Sequence, residues 1–174
     1  MHELEIRQSS EILTRDSSGT LGRHNFIQNW GFGTTGCVWL RVLSTGGENW
    51  LSPDFDFSVP AYSEYHHSLA TANLFDQSVA EDGFKAANRL TESTGAGHSA
   101  TECVFWNVGG TIVTSRQYGR GYVIGTAPGM QVATNIGTFD GAGTEPVDWV
   151  DGAGEGDTLT PPSLYEDQLA RRLR

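Results

Sequence analysis

Three histidines stand where a short apolar run begins, and histidine is the side chain best suited to proton transfer near neutral pH. His24, His67 and His98 each precede a polar residue, at separations of 43 and 31 residues. We predict that His67 and His98 stack on one face of the fold, as a general base or a sugar contact. The alternative is a repeated histidine that hydrogen-bonds a turn. On a strand, His66 points away from His67, so at most one of the two faces the core.

Basic side chains occupy the same repetitive region. They are Lys85, which is the only lysine of the chain, with Arg89, Arg116 and Arg120. Cations near one another can hold an anionic ligand. The alternative is ordinary solvated charge.

Acidic residues offer a second kind of chemistry. The candidates are Asp54, Asp56, Glu64, Asp76, Glu81 and Asp82. Two of them could supply the carboxylates of a glycosidase, or several could supply oxygen ligands for Ca²⁺. Neither a calcium-loop spacing nor a carboxylate pair on one strand is present, so no metal ligand is assigned and Ca²⁺ is the one cofactor left open. No CxxC or Cys/His spacing indicates zinc.

Aromatic residues are numerous for a chain of 174 residues. Those outside the segment from 46 to 65 include Trp30, Trp39 and Trp106. Inside that segment or at its end, Trp50, Phe55, Tyr62 and Tyr65 are candidates for an exposed platform on which sugars stack. Packing of these rings onto the protein's own core is the alternative.

The elements that position these side chains are short strands. Apolar runs such as Cys103–Trp106, Thr111–Thr114 and Tyr122–Ile124 are separated by glycines, which is typical of buried strands. The segment from His67 aligns with the segment from His98, with Leu74 opposite Phe105. Several short strands in a unit of 20 to 45 residues indicate a stacked solenoid. We therefore predict an all-β parallel solenoid in one domain spanning residues 1–174.

Four segments depart from the repeat. Residues 1–16 form a cap or arm, and residues 46–65 are an inserted loop with two prolines. Residues 126–162 are rich in Gly, Pro and acids and are predicted to be extended on the surface. Residues 163–174 form a terminal helix, because Ser163 is a good N-cap, Glu166 completes a capping box and arginines end the segment.

Charge and composition exclude several classes of protein. A net charge of −10 without a basic run disfavours nucleic acid and anionic membranes as partners. No apolar stretch is long enough to span a membrane, and the first ten residues carry charges where an export signal needs apolar residues. Cys37 and Cys103 lie in apolar surroundings, which favours buried free thiols over a disulfide.

Several segments together carry a resemblance to a known family. HNFIQNWGFGTTGCVW, HHSLATANLFDQS, GHSATECVFWN, GYVIGT and PPSLYEDQLARRL resemble the C-terminal part of right-handed parallel β-helix proteins of the pectate-lyase-like superfamily. The resemblance covers residues 20–174 and concerns the fold. It implies an extracellular or periplasmic protein that interacts with a polysaccharide or oligosaccharide.

The resemblance also implies roles for the residues above. In a lyase or hydrolase, His67, Lys85 and Arg89 would be catalytic, with Trp50, Phe55, Tyr62, Tyr65 and Arg116 binding the substrate. A complete member has more coils, so an open solenoid end is expected to pair with another subunit as a homo-oligomer. Two functions remain: polysaccharide binding along the flank of the solenoid, with or without catalysis, and a non-catalytic assembly module.

Overall fold

The computed structural model describes residues 2–30, 32–51, 58–134 and 140–174. Their secondary structure is predominantly β. Among the described strands every pairing is parallel except for one hairpin. The prediction of an all-β chain built from parallel sheets is confirmed.

The strands form three ladders. The first ladder, a six-stranded sheet, contains in order β1 (His2–Arg7), β4 (His24–Asn29), β9 (Ser63–Tyr65), β13 (Phe84–Ala86), β16 (Ile112–Ser115) and β18 (Gln131–Ala133). The second contains β2 (Leu13–Arg15), β5 (Val38–Leu40), β11 (Leu74–Asp76), β15 (Val104–Gly110), β17 (Tyr122–Thr126) and β19 (Trp149–Asp151). The third contains β3 (Ser18–Thr20), β6 (Leu43–Thr45), β12 (Val79–Ala80) and the end of β15.

Two smaller pairings complete the β structure. One is the antiparallel hairpin of β7 (Trp50–Leu51) and β8 (Ser58–Val59), which lies within the predicted insert. The other pairs β10 (Ala70–Thr71) with β14 (Ala100–Thr101) at a corner between ladders. The chain visits the ladders in turn, so each pass forms one coil and stacks in register on the coil before it. This arrangement is typical of a solenoid-like fold.

Stacked aromatic side chains fill the core, because parallel in-register pairing places equivalent residues above one another. Phe75 pairs in register with Trp39 on one side and Phe105 on the other. Its ring lies 5.8 Å from that of Trp39 and 5.7 Å from that of Phe105, nearly parallel to both. All three side chains are fully buried. The column continues to Val123 in the next coil.

The chain turns sharply at the second ladder in each coil. One residue has a positive φ at the equivalent position of successive coils: Asp16 (51°), Arg41 (50°) and Gln77 (48°) directly follow their strands, whereas Asn107 (50°) and Gly125 (65°) lie inside β15 and β17. A left-handed residue at this position redirects the chain at the corner. Its recurrence in non-glycine residues shows that the corner geometry is set by the stacking of coils.

The register differs from the predicted one. Leu74 pairs with Val104, so the alignment that placed it opposite Phe105 is wrong by one residue. His24 pairs with His2 in the neighbouring strand and is not equivalent to His67. Loops of unequal length connect the strands at the corners. The number of residues between two paired positions therefore differs between ladders and between coils.

Two segment predictions are corrected by the same pairings. Residues 2–20 form β1, β2 and β3, which pair with strands of the next coil, so the described part of the predicted cap or arm belongs to the sheets. Within residues 126–162, β18 and β19 pair with the preceding coil, so this stretch is not wholly an extended surface segment. The insert is shorter than predicted, because residues 63–65 form β9 in the first ladder.

Little helix is present. The described residues contain one helical turn, α1 (Glu92–Gly95), a 3₁₀ turn at Gly156–Thr158 and α2 (Leu164–Arg172). The terminal helix is as predicted, and the Ser163 hydroxyl caps it by accepting from the Glu166 amide at 3.1 Å. None of these helices has the length and apolar character needed to cross a bilayer.

The terminal segment runs back along the outside of the second ladder, and we call residues 161–172 the C-terminal strap. Trp106 Nε1 and Asn107 Nδ2 donate to the carbonyls of Pro161 and Pro162, at 3.1 and 3.0 Å. Arg41 pairs with Glu166 at 2.9 Å. Asp76, in the coil between them, accepts from Ser163 at 2.8 Å, so the strap contacts three successive coils.

Candidate functional site

A row of ionisable side chains lies on the outer side of the first ladder, and we call it the charged face. It comprises His2, His24, Glu64, His66, Lys85, Arg89, Arg116 and Asp140. The residues come from β1, β4, β9 and β13 and from the turns that follow β9, β13 and β16, except for Asp140, which lies between β18 and β19. In-register stacking brings them together although they are far apart in sequence. Glu64, for example, pairs with Lys85 in the next coil.

Two histidines and a glutamate form the first cluster of the charged face. His24 Nε2 lies 3.4 Å from Glu64 Oε1, and His66 Nδ1 contacts the same oxygen. The three ligating atoms lie within 4.8 Å of one another. His24 and Glu64 are buried and His66 is partly exposed. The His2 ring, in the neighbouring strand β1, stacks on the His24 ring, with 5.4 Å between the two ring centroids.

The tautomer of His24 is set by a backbone group. Its Nδ1 lies 2.8 Å from the carbonyl oxygen of Tyr62, which can only accept, so Nδ1 carries the proton. Burial lowers the pKa of His24 to about 4, although Glu64 opposes this shift. At neutral pH the ring is therefore neutral, and its Nε2 lone pair faces Glu64.

Glu64 is ionised in the same surroundings. Burial alone would raise the pKa of this carboxyl, but nearby basic groups outweigh it and lower the pKa below the usual range. The groups that lower the pKa of Glu64 are first His24, which is protonated in the acidic range where Glu64 titrates, then His66, which also forms a hydrogen bond, and Arg89.

Lys85, Arg116 and Asp140 form the second cluster of the charged face. Lys85 Nζ lies 3.1 Å from Asp140 Oδ1, and Arg116 Nη2 lies 3.6 Å from Asp140 Oδ2. Lys85 also lies over the Tyr62 ring, 5.4 Å from its centroid. Arg116 Nε and Nη1 have no hydrogen-bond partner among the described residues. The structure thus brings together three of the predicted residues: Tyr62, Lys85 and Arg116.

A cleft of about 180 Å³ adjoins Arg116. Its lining includes Thr134, Thr144, Glu145 and Asp148. Asp148 is engaged by its own fold, since it accepts from Ser115 Oγ at 2.7 Å and from the Gly121 amide at 2.8 Å. The volume is below the range usual for drug-sized ligands and suits a single small unit.

His67 and Arg89 are held by structural contacts. His67 stacks on Trp30 at 4.1 Å, and its two ring nitrogens lie 2.5 Å from Asn29 Oδ1 and 2.9 Å from the Ser93 carbonyl. Arg89 donates to the His66 carbonyl at 3.0 Å and to Ser93 Oγ at 3.1 Å. For His67 this placement favours the alternative of a histidine that hydrogen-bonds a turn.

The predicted aromatic platform is dispersed. Tyr65 is fully buried in the core against Phe75 and Phe105, so it offers no face to a sugar. Trp50 is exposed on the hairpin, and Tyr62 lies against Lys85. Phe55 lies outside the described residues.

The predicted carboxylates are dispersed as well. Asp76 is held by the C-terminal strap, and Asp82 Oδ1 accepts from Ser44 Oγ at 2.8 Å. Glu64 belongs to the histidine cluster. Asp54 and Asp56 lie outside the described residues. Among the described acids named above, no two share a site of the kind that Ca²⁺ or a glycosidase would need.

Sequence reasoning missed the cluster of His24, Glu64 and His66. One signal was available, because Glu64 and His66 are two residues apart, the spacing that places two side chains on one face of an extended chain. The third member was hidden, since His24 reaches Glu64 only through the register of β4 and β9 across the insert.

Comparisons with family models, with curated proteins and with solved structures give no match to this chain.

Proposed function

We propose that this chain is a right-handed parallel β-helix of the pectate-lyase-like kind that binds an acidic polysaccharide or oligosaccharide on its charged face. The observation that carries the proposal is the convergence of Lys85 and Arg116, from two successive coils, beside the Tyr62 ring. A cation with an adjacent aromatic ring is suited to a sugar that bears a carboxylate.

Arg116 is the residue best placed to contact a uronate carboxylate. Its guanidinium makes one contact with Asp140, and two of its nitrogens have no partner among the described residues. A guanidinium binds a carboxylate through two parallel hydrogen bonds. The adjoining cleft accepts one sugar unit, with the rest of a chain lying along the flank. Asp140 would compete with the sugar for the same cations, which favours modest affinity.

The proposal concerns binding rather than catalysis. His67 and Arg89 are occupied by structural contacts, which leaves Lys85 as the candidate catalytic residue nearest to Arg116. A protein that binds such polymers would act in the extracellular space or the periplasm.

Calorimetric titration with oligogalacturonate tests the proposal, with a neutral glucan of the same length as a control ligand. Arg116→Gln is expected to weaken uronate binding at least tenfold, because a hydrogen bond to a charged group contributes about 1.5–3 kcal/mol. Arg172→Gln removes an exposed arginine from the helix and should leave binding unchanged. Equal affinity for the two polymers, or no binding to either, would overturn the proposal.

Arg116 is buried, so its replacement risks a loss of folding. A second measurement avoids the variant. Phenylglyoxal modification of Arg116 in the unaltered chain, followed by mass spectrometry, should be slowed by oligogalacturonate and not by the neutral glucan.

An assembly module is the second candidate, favoured by the open edge of the first coil. β1, β2 and β3 have no partner strand on their outer side among the described residues, and Ile12 and Leu13 of the same coil are exposed in a cleft that Leu169 of the C-terminal strap also lines. Unpaired strand edges with apolar neighbours are prone to association. We propose a second copy of the chain as the occupant, giving a homo-oligomer.

Light scattering during size-exclusion chromatography tests the assembly proposal. A mass that is a multiple of 18.9 kDa is expected, and Leu13→Lys should reduce it to one chain. Leu90→Lys, at an exposed leucine elsewhere, is the matched control. A monomer at every concentration would reject a second copy as the occupant.

A further inference from the structure

We propose that His24, Glu64 and His66 bind a divalent transition-metal ion. Two imidazole nitrogens and one carboxylate oxygen form a donor set that suits Zn²⁺ and its first-row neighbours. Metal binding does not depend on polysaccharide binding, because the residues of the charged face proposed to contact the sugar are Tyr62, Lys85 and Arg116, which are different side chains.

The spacing of the donor atoms fits a small ion. Donors at about 2.0–2.1 Å from a tetrahedral ion lie about 3.3 Å from one another. His24 Nε2 and Glu64 Oε1 are 3.4 Å apart, and all three donors lie within 4.8 Å. A modest rotation of the partly exposed His66 ring would complete the set.

The hydrogen bond on the far side of His24 supports the same conclusion. Its Nδ1 donates to the Tyr62 carbonyl at 2.8 Å, which leaves Nε2 as a lone pair directed at Glu64. A metal-bound histidine usually makes such a bond through its other nitrogen, which fixes both the tautomer and the ring orientation. Without a cation or a proton between them, Nε2 and Glu64 Oε1 are two acceptors facing each other.

The type of donor atoms and the nearby charges determine which metal ion the site selects and how tightly it binds. Nitrogen donors disfavour Ca²⁺ and Mg²⁺, which prefer oxygen ligands. Three protein ligands leave a position for water, as in open zinc sites. The positive charges of Arg23 and Arg89 interact with Glu64 and repel a cation bound there. We therefore expect moderate affinity for the metal ion. The ion would enter beside His66, the least buried of the three.

Titration of the chelator-treated chain with Zn²⁺, and separately with Co²⁺ followed by visible absorption, tests this site. One ion per chain is expected. His24→Gln and Glu64→Gln should each weaken binding at least tenfold, whereas His98→Gln, at a histidine outside the cluster, should have no effect. Ca²⁺ should not compete. The proposal would be overturned if all three variants bound the metal ion with equal affinity, or if the unaltered chain did not bind it.

Because His24 and Glu64 are buried, the unaltered chain provides a second test. Ring-nitrogen NMR signals of His24 and His66 should shift on Zn²⁺ addition, while that of His98 stays in place. If Zn²⁺ shifts neither His24 nor His66, a proton rather than a metal ion occupies the space between His24 and Glu64, and the proposal fails.

Discussion

The Asp76 carboxylate accepts a hydrogen bond at 2.8 Å from the hydroxyl of Ser163, which lies 87 residues later in the chain. The same oxygen accepts from the Tyr165 amide at 2.8 Å. Ser163 also caps α2, so one buried carboxylate both anchors the C-terminal strap and orders the start of its helix.

Asp76→Ala should release the C-terminal strap. Two hydrogen bonds to a carboxylate are lost, and we expect the free energy of strap opening to fall by about 2 kcal/mol. Amide hydrogen exchange in α2 should then be about 30-fold faster, with the core strands unaffected. Asp157→Ala, at an exposed carboxylate before the strap, is the control. Unchanged exchange in Asp76→Ala would show that the strap is held by other contacts.

Phe75→Ala should lower the free energy of unfolding by about 3–5 kcal/mol, because it leaves a cavity between two stacked rings in a packed core. Denaturant unfolding measures the change. Val79→Ala, four residues on at a side chain that is 40% exposed, should cost well under 1 kcal/mol. Similar losses in the two variants would contradict the stacked column of aromatic rings.

Gly110→Ala should prevent correct stacking of the third ladder. Its φ is +131°, and an added Cβ would lie 1.9 Å from the Ala80 carbonyl oxygen in the paired strand. Gly129→Ala is a matched control, since its φ is +81° but no atom lies within 4 Å of the added Cβ. The control should lose about 1 kcal/mol of stability through backbone strain. Thermal unfolding should separate the two variants clearly, and equal losses would mean that the close approach does not exist.

The thiols should resist modification in the folded chain. Cys37 and Cys103 are free and fully buried, as the sequence favours, and burial raises the pKa of Cys103 to about 11. At pH 8 a disulfide reagent should therefore react with neither thiol until denaturant is added, and then with both. Reaction at the native state would contradict this burial.

The raised pKa of Cys103 also predicts that the free energy of unfolding falls at alkaline pH. Between pH 9 and 11 the unfolded chain loses the Cys103 proton while the folded chain keeps it, so stability present below pH 9 is lost as the pH rises to 11. The loss is on the order of 2–3 kcal/mol. Cys103→Ala should show a smaller fall in unfolding free energy over this range, and an identical fall in the two proteins would contradict the shift.

The sequence was sufficient for the class of fold. Short glycine-bounded runs such as Thr111–Thr114 lie within a residue of real strands, and the Ser163 cap was correctly placed. It was insufficient for the register. Histidines are the most visible recurring residues in the sequence, whereas the residues that pair in register are the buried Trp39, Phe75 and Phe105, which polar neighbours obscure.

The same limit explains the site. The sequence predicts Lys85 and Arg116 individually as site residues, because they lie in the repetitive region. Their meeting at Asp140 was hidden because Asp140 lies outside the repeated strands, and His24 meets Glu64 only across the insert. Side chains that converge through variable corners leave no fixed spacing in the sequence.

The C-terminal strap also changes how the fold is expected to come apart. In a stack of coils each unit contacts only its neighbours, so an end coil can fray while the rest persists. Here Asn107, Asp76 and Arg41, from three coils, share one continuous segment. Loosening any of these coils strains the same segment, so fraying of one coil is coupled to the others. Unfolding of this short stack should therefore be more cooperative than nearest-neighbour contacts alone would make it.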